Sequence, residues 1–346
     1  MQFSEILKKW YVNHKRDLPW RNTTNPYKIW LSEIILQQTQ VVQGLPYYNT
    51  FVKQYPTVFA LANASEEQIL KSWQGLGYYS RARNLHATAK YVANELNGFF
   101  PGNYKDLLML KGVGDYTASA IASICFNENT AVVDGNVYRV LSRYFGIETP
   151  INTPKGAKAF KALAQELIDK NDPATFNQAI MEFGAKQCSP KSPDCGVCPL
   201  QQSCVAFNKK TIEQLPVKIK GAKVKNKYFN FLVIIGNQNT VVVEKRLGKG
   251  IWENLYQFPL IETKKGITYK EMLSHTKQHP LLKGKTFTIS LYNETDVVHK
   301  LSHQHLHTKF WIANTSEQVD TAIPIADIRN YAVPALISNF IDQFNF

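Results

Sequence analysis

Four cysteines within seventeen residues constrain this chain more than any other feature. They are Cys188, Cys195, Cys198 and Cys204, spaced C-x6-C-x2-C-x5-C. Thiols at this density point to a metal centre, and such a centre dictates the fold of the loop that holds it. Zinc and an iron–sulfur cluster both accept four thiolates. Zinc ribbons pair two close C-x2-C knuckles, whereas this chain has one. The uneven spacing therefore favours a 4Fe–4S cluster. The fifth cysteine, Cys125, sits between Ile124 and Phe126 and reads as a small core residue.

An odd cysteine count in a chain of 346 residues argues against a disulfide framework and for a reducing compartment. The N-terminal stretch MQFSEILKKWYVNHKRDLPW mixes apolar and charged residues and has no continuous apolar core of a secretory leader. No apolar run approaches the ~20 residues a membrane span needs. The expectation is a cytoplasmic, nucleoid-associated monomer with no membrane partner. Forty Lys and Arg against twenty-seven Asp and Glu give a net charge of +13. That excess suits a polyanion, with nucleic acid the first candidate.

The chain reads as two domains. Helical spacing of apolar residues recurs at 4–12, 27–43, 46–55, 65–73, 80–96, 104–110, 116–123, 136–144, 154–170 and 174–183. This gives an all-α domain over 1–205, with lobes at 25–129 and at 1–24 plus 130–205. Residues 209–227 hold seven Lys and one Glu, so 206–227 reads as an exposed basic linker. Residues 228–346 read as an α+β domain. Strands fall at 228–235, 240–246, 285–292 and 306–313, the first two joined by the turn Gly236-Asn237-Gln238-Asn239, and a closing helix falls at 332–344.

Leu110-Lys111-Gly112-Val113-Gly114-Asp115-Tyr116 lies between two of the predicted helices. Gly112 and Gly114 permit a tight turn whose N–H groups can hold a phosphate, although such a turn alone is equally an ordinary connection. Asp134 follows twenty residues after Gly114, and the cysteine run follows that. This combination resembles the endonuclease III superfamily of helix-hairpin-helix DNA glycosylases. Within it the chain is most similar to the MutY type, the adenine DNA glycosylases. The motifs span residues 16–204.

The resemblance implies removal of adenine mispaired with 8-oxoguanine, a 4Fe–4S cluster on the four cysteines, and double-stranded DNA as partner. Excision of adenine needs a proton donor for the base and a group that stabilises the sugar cation; two carboxyls in different environments divide that work. Glu33, in Leu31-Ser32-Glu33-Ile34-Ile35, reads from its own residues as an exposed polar position, since exposed Glu is the norm. The resemblance makes it the acid that protonates N7. Asp134 reads as an N-cap for 136–144, and the resemblance adds a role facing the oxocarbenium. The cap's donors are expected to keep it ionised. Bifunctional relatives carry Lys where this chain has Tyr116, which implies a monofunctional enzyme with Tyr116 beside Glu33. Asn136 would position water or Asp134.

By the same resemblance Trp20, Arg21 and Gln178 border the flipped adenine. Gln38, Thr39, Leu76 and Tyr78 face the opposite strand, with Tyr78 a wedge. The second domain resembles the MutY C-terminal domain, which is Nudix-like. It lacks the Glu-rich metal-binding run R-E-x-x-E-E, so a reading role for Ser302 and His303 is expected in place of nucleotide hydrolysis. Leu301 departs from the family's Phe-Ser-His. His299, His303, His305 and His307 read as a polar or DNA-facing stretch. Rival readings are an endonuclease III-type enzyme for oxidised pyrimidines, a non-enzymatic iron–sulfur DNA-binding protein and a zinc protein.

Overall fold

The computed structural model describes residues 2–221 and 224–346. Its contacts divide the chain into two units: Met1–Asn63 with Asn84–Lys220, and Ala64–Arg83 with Gly221–Phe346. The helices are α1 (Phe3–His14), α2 (Pro26–Leu36), α3 (Val41–Gln54), α4 (Val58–Asn63), α5 (Glu66–Ser72), α6 (Ser80–Glu95), α7 (Tyr104–Leu107), α8 (Asp115–Phe126), α9 (Gly135–Phe145), α10 (Pro154–Leu167), α11 (Pro173–Lys186) and α12 (Val205–Asn208), followed by α13 (Tyr269–Gln278) and α14 (Ala335–Gln343). None of the helices is long and apolar enough to cross a membrane, among the described residues.

In the first unit α2 is the central helix. Every residue from Ile29 to Ile35 is buried, Ser32 and Glu33 included. A helix apolar on all sides must be enclosed by neighbours, and any acid on it is desolvated. The predicted helix 27–43 breaks at Gln37–Gln40, because Gln38 takes a left-handed conformation (φ 55°). Helix α3 then crosses close to α2 at Gly44, where a Cβ would meet Leu36 Cδ2 at 2.8 Å. Helix α8 is buried on all sides from Thr117 to Ile124, its small residues Ala118, Ser119, Ala120 and Ala122 among them. Residues 129–134 form neither helix nor ladder.

Two expected boundaries move. Residues 64–83, placed by sequence in the helical lobe 25–129, make their contacts with the C-terminal unit: Lys245 pairs with Glu67 (3.0 Å), Arg83 with Glu253 (2.9 Å), and Gln74 donates to Ser338 (3.2 Å). The basic stretch from 206 is not a free linker up to Lys220. The Arg143 guanidinium donates to the carbonyls of Ile212 and Leu215, and Asn152 bonds both the N–H and the C=O of Ile219. Those bonds satisfy backbone groups that would otherwise need water. Ala222 and Lys223, within the predicted linker, lie outside the described residues.

The second unit is built on a mixed sheet of β1 (Lys225–Gly236), β2 (Thr240–Val242), β5 (Leu260–Thr263), β6 (Thr288–Leu291), β7 (Val297–Lys300), β8 (Gln304–Asn314) and β9 (Ala322–Pro324), with a small pair β3 (Glu244–Lys245) and β4 (Tyr256–Gln257) apart from it. The expected hairpin is present, with Gly236 opposite Thr240. Strands β1 and β8 pair in parallel at the centre, Phe231 beside Phe310 and Leu232 beside Trp311. Alternation sends these side chains to opposite faces. Leu232 and Trp311 pack with Met272 of α13, and Phe310 stacks on Phe340 of α14 at 4.1 Å. Strand β7 returns into β8 through a tight turn closed by Leu301 N–H on the Gln304 carbonyl at 2.9 Å.

Candidate active site

Glu33 from α2, Tyr116 from α8, Asp134 and Asn136 at the start of α9, and Gln178 from α11 line one cavity of about 170 Å³ with Trp20, Arg21 and Thr39. A cavity of roughly 150 Å³ holds one benzene ring, so this one is in the size class of a flat heterocycle. Glu33, Tyr116, Asp134 and Gln178 each arrive from a different helix or helix cap of the first unit.

The two carboxyls have unlike surroundings. Burial pushes the Glu33 carboxyl up to about 7; the Asp134 charge adds to this and a hydrogen bond from Tyr116 opposes it. Asp134 caps α9. It accepts from the backbone N–H of Asn136 (2.9 Å) and Val137 (2.8 Å) and from Asn136 Nδ2 (2.8 Å). Desolvation still raises the Asp134 carboxyl above its ordinary value, and those donors pull the other way. Burial thus works against the donors expected to keep it ionised. Glu33 has one donor and Asp134 has three, so Glu33 is the group that holds a proton more readily.

The Tyr116 hydroxyl also lies 3.2 Å from Met181 Sδ, and burial holds the phenol protonated. Asn136 in turn accepts from Arg139 (2.9 Å), which donates to the Cys188 carbonyl at 2.7 Å. No lysine lines the cavity among the described residues.

Sequence reasoning missed Glu182 and Arg16. Glu182 is wholly buried, and its oxygens accept from Arg16 N, Nε and Nη2 and from Arg21 Nη2, the last at 2.6 Å. Burial alone would raise this carboxyl; the bonds from Arg16 and Arg21 win and pull it down to about 2. Arg16 lies in the short stretch after α1 and Arg21 ends a single 3-10 turn (Pro19–Arg21), where no periodicity marks them. The signal available was R-x4-R facing an acid in an apolar helix.

Of the other expected site residues, Gln38 is exposed and outside this cavity, whereas Thr39 lines it. Gly112 has φ 81° and a Cβ there would meet Asn84 Cβ at 2.8 Å, so the hairpin requires glycine at that position. Gly114, the N-cap of α8, has open space where its Cβ would stand.

In the second unit Tyr78, Ser302 and His303 meet at a cavity of about 520 Å³ that Leu76, Trp252 and His299 also line. The Tyr78 hydroxyl is 2.7 Å from Ser302 Oγ. Tyr78 is 51% exposed and left-handed (φ 48°), while Leu76 is buried. A half-exposed aromatic held at positive φ is available to a ligand; a buried Leu is a support.

Cys188, Cys195, Cys198 and Cys204 line a single small cavity of the first unit with Val140, Phe183, Leu200 and Phe207. Arg143 closes it, donating to the carbonyls of Ser189 (2.7 Å) and Pro190 (3.1 Å). Among the described residues no three His, Cys, Asp or Glu side chains converge on a single-ion site.

Residues 31–170 match the HhH-GPD superfamily of base excision DNA repair proteins, and residues 230–343 match the NUDIX domain. The chain is 36% identical to an adenine DNA glycosylase of Buchnera aphidicola subsp. Schizaphis graminum, over 88% of this chain and 85% of that protein. It belongs to the adenine DNA glycosylase family. It is also 44% identical to the adenine DNA glycosylase of Homo sapiens, over 62% of this chain and 41% of that one. Among solved structures it is similar to a thermostable thymine-DNA glycosylase, with TM-score 0.56 and 32% identity over 60% of this chain and 95% of that one. The helical unit is therefore a base-excision-repair glycosylase domain, and the second unit carries a Nudix-like sheet.

Proposed function

We propose that this adenine DNA glycosylase removes adenine paired with 8-oxoguanine in duplex DNA, flipping the adenine into the Glu33–Asp134 cavity and hydrolysing its N-glycosidic bond. The observation that carries this reading is the pair of carboxyls on one cavity, one protonated near neutrality and one held by three donors. Glu33 gives its proton to N7, and the C1′–N9 bond breaks with its electrons going to the base. Asp134 faces the oxocarbenium, and water held by Asn136 adds to C1′. Glu33, now a carboxylate, takes the proton released by that water. Trp20, Arg21 and Gln178 border the base.

With Tyr116 where a Schiff-base amine would stand, the enzyme is monofunctional. Tyr78, Ser302 and His303 read the 8-oxoguanine side, with Gln38 and Thr39 toward the same strand; Leu301 offers less ring contact there than an aromatic. Gly112 and Gly114 present backbone N–H groups to phosphate. The enzyme acts as a monomer on DNA in the cytoplasm.

The four cysteines fit a 4Fe–4S cluster. Their donor set is all sulfur, and they line one small cavity among apolar side chains such as Val140, Phe183 and Leu200, while the uneven spacing with a single C-x2-C departs from a zinc ribbon. When bound it would order the 188–204 loop and bring Lys191 toward a phosphate. Broad visible absorption from the purified protein supports this; a colourless protein containing zinc overturns it.

The deciding experiment incubates the protein with a duplex bearing one 8-oxoguanine:A pair. Adenine release, with strand breaks only after alkali, is the expected result. No adenine loss from protein with its cluster intact would sink the reading and favour an oxidised-pyrimidine enzyme.

A further inference from the structure

Residues 129–134 lead to Asp134 with neither helix nor ladder, yet the peptide groups between Asn129 and Val132 find side-chain partners in a pattern that belongs to extended chain. Two side-chain amides replace the missing neighbours. Gln165 of α10 donates from Nε2 to the Asn129 carbonyl (2.9 Å) and accepts from the Ala131 N–H (2.9 Å). Asn177 of α11, fully buried, donates to the Thr130 carbonyl (2.9 Å) and accepts from the Val132 N–H (3.1 Å). Each amide thus spans the C=O of residue i and the N–H of residue i+2. Those two groups share one edge of an extended chain, and alternation puts the 129/131 groups and the 130/132 groups on opposite edges. Gln165 and Asn177 imitate a strand on each side. Lys161 adds a bond to the Ala131 carbonyl at 2.7 Å, and Asn177 is itself anchored on Ser123 Oγ at 2.9 Å.

We propose that Gln165 and Asn177 are positioning residues for Asp134: this amide clamp fixes the segment that sets the carboxylate against the substrate sugar. The clamp ends at Val132, two residues before Asp134, and the α9 cap takes over at Asn136 and Val137. Neither amide lines the cavity. The clamp therefore acts on the placement of Asp134 and not on contact with the base. This inference rests on the adenine-excision reading.

Gln165→Met keeps the length and removes both bonds at a half-buried position; Asn177→Leu does the same in the core. Single-turnover adenine release should fall about tenfold to a hundredfold, as expected for a displaced catalytic group, with affinity for a duplex carrying a non-cleavable adenine analogue within about twofold of wild type. Amide exchange should quicken at Ala131 or Val132, and with it at Asn136 and Val137, whose N–H groups Asp134 holds. An unchanged rate in Gln165→Met overturns the proposal. So does a loss of rate and DNA affinity together, or exchange at Asn136 and Val137 that stays as in wild type. Wild-type protein that releases no adenine would instead sink the excision reading, and the exchange pattern would still decide the clamp.

Discussion

Gly184 of α11 lies against the start of α9 so closely that a Cβ on it would stand 2.7 Å from Asn136 Cβ and 2.9 Å from the Asn136 carbonyl oxygen. Real Cβ atoms do not approach that near, and the neighbour here is largely backbone. The contact presses together the helix that ends at the cysteine loop and the helix capped by Asp134.

Gly184→Ala should therefore be destabilising. Alanine favours a helix over glycine by roughly 0.5–1 kcal/mol, but overpacking of this kind costs about 1–3 kcal/mol. The clash wins, and a melting temperature below wild type is expected. The displacement falls on Asn136 and Asp134, so adenine release should slow more than DNA binding weakens. A variant as stable and active as wild type would show that α9 yields without cost.

Glu33→Gln removes the proposed proton donor, and glycosylase activity should fall to background. In wild type the rate should decline as pH rises through about 7, because the protonated form is the working one. Stability carries the same sign. A carboxyl raised from its ordinary 4.5 to about 7 binds its proton better in the folded state. The stability it contributes is present below pH 4.5 and lost as pH rises through 7. The difference is about 3 kcal/mol at 1.36 kcal/mol per unit. Glu33→Gln should thus be dead yet more stable than wild type at pH 8, by denaturant melts at pH 4 and pH 8. A variant less stable at pH 8 would refute the buried, proton-holding role.

The site was legible in sequence to the extent that chemistry sits on motifs. Its own segment made Glu33 an exposed position, which its burial corrects, and made Asp134 a cap; the family resemblance named Glu33, Tyr116, Asp134 and Asn136 as site residues, and all four line one cavity. The four cysteines were named from spacing alone and line another. What sequence could not carry was pairing across distance. Arg16 and Glu182 stand 166 residues apart, and neither segment announces the other. The amide clamp is hidden for the same reason, since Gln165 looks like a surface helix residue. Local signals were also passed over: Thr268 and Glu271 form a capping box at the head of α13, where no helix was predicted. The parallel pairing of β1 with β8 joins strands some eighty residues apart and follows from burial on both faces, which alternation along one strand does not reveal.

Tyr78→Phe and Ser302→Ala each delete the 2.7 Å bond between these side chains while keeping the ring or the backbone of the turn. A hydrogen bond of this kind is worth about 1 kcal/mol net. The preference for 8-oxoguanine:A over G:A should shrink severalfold in either variant. The double variant should lose little more than one single, because both remove one interaction. Fully additive losses would mean that the two residues act on DNA separately.

Glu182→Gln tests the buried ion cluster. The one carboxylate pairs with both Arg16 and Arg21, and glutamine keeps an acceptor but no charge. Breaking a buried pair by removing one partner costs roughly 3–5 kcal/mol. Arg16 is partly exposed and can reach water, which places the expected loss at the lower end. The pH dependence gives the sharper sign. A carboxyl lowered from 4.5 to about 2 contributes stability that is full above pH 4.5 and lost as pH falls through 2. Wild type should weaken across that window, and Glu182→Gln should show a flatter acid limb with lower stability at pH 7. Because Arg21 and Glu182 both line the Glu33–Asp134 cavity, in which the proposed reaction places the adenine, the variant should also bind the flipped base less well. The adenine-release rate at saturating enzyme should then fall while affinity for undamaged duplex, which flips no base, stays unchanged. Equal stability of variant and wild type at pH 7 would mean that the two guanidinium groups find other partners, and the cluster would lose its claim to hold the stretch after α1 against α11.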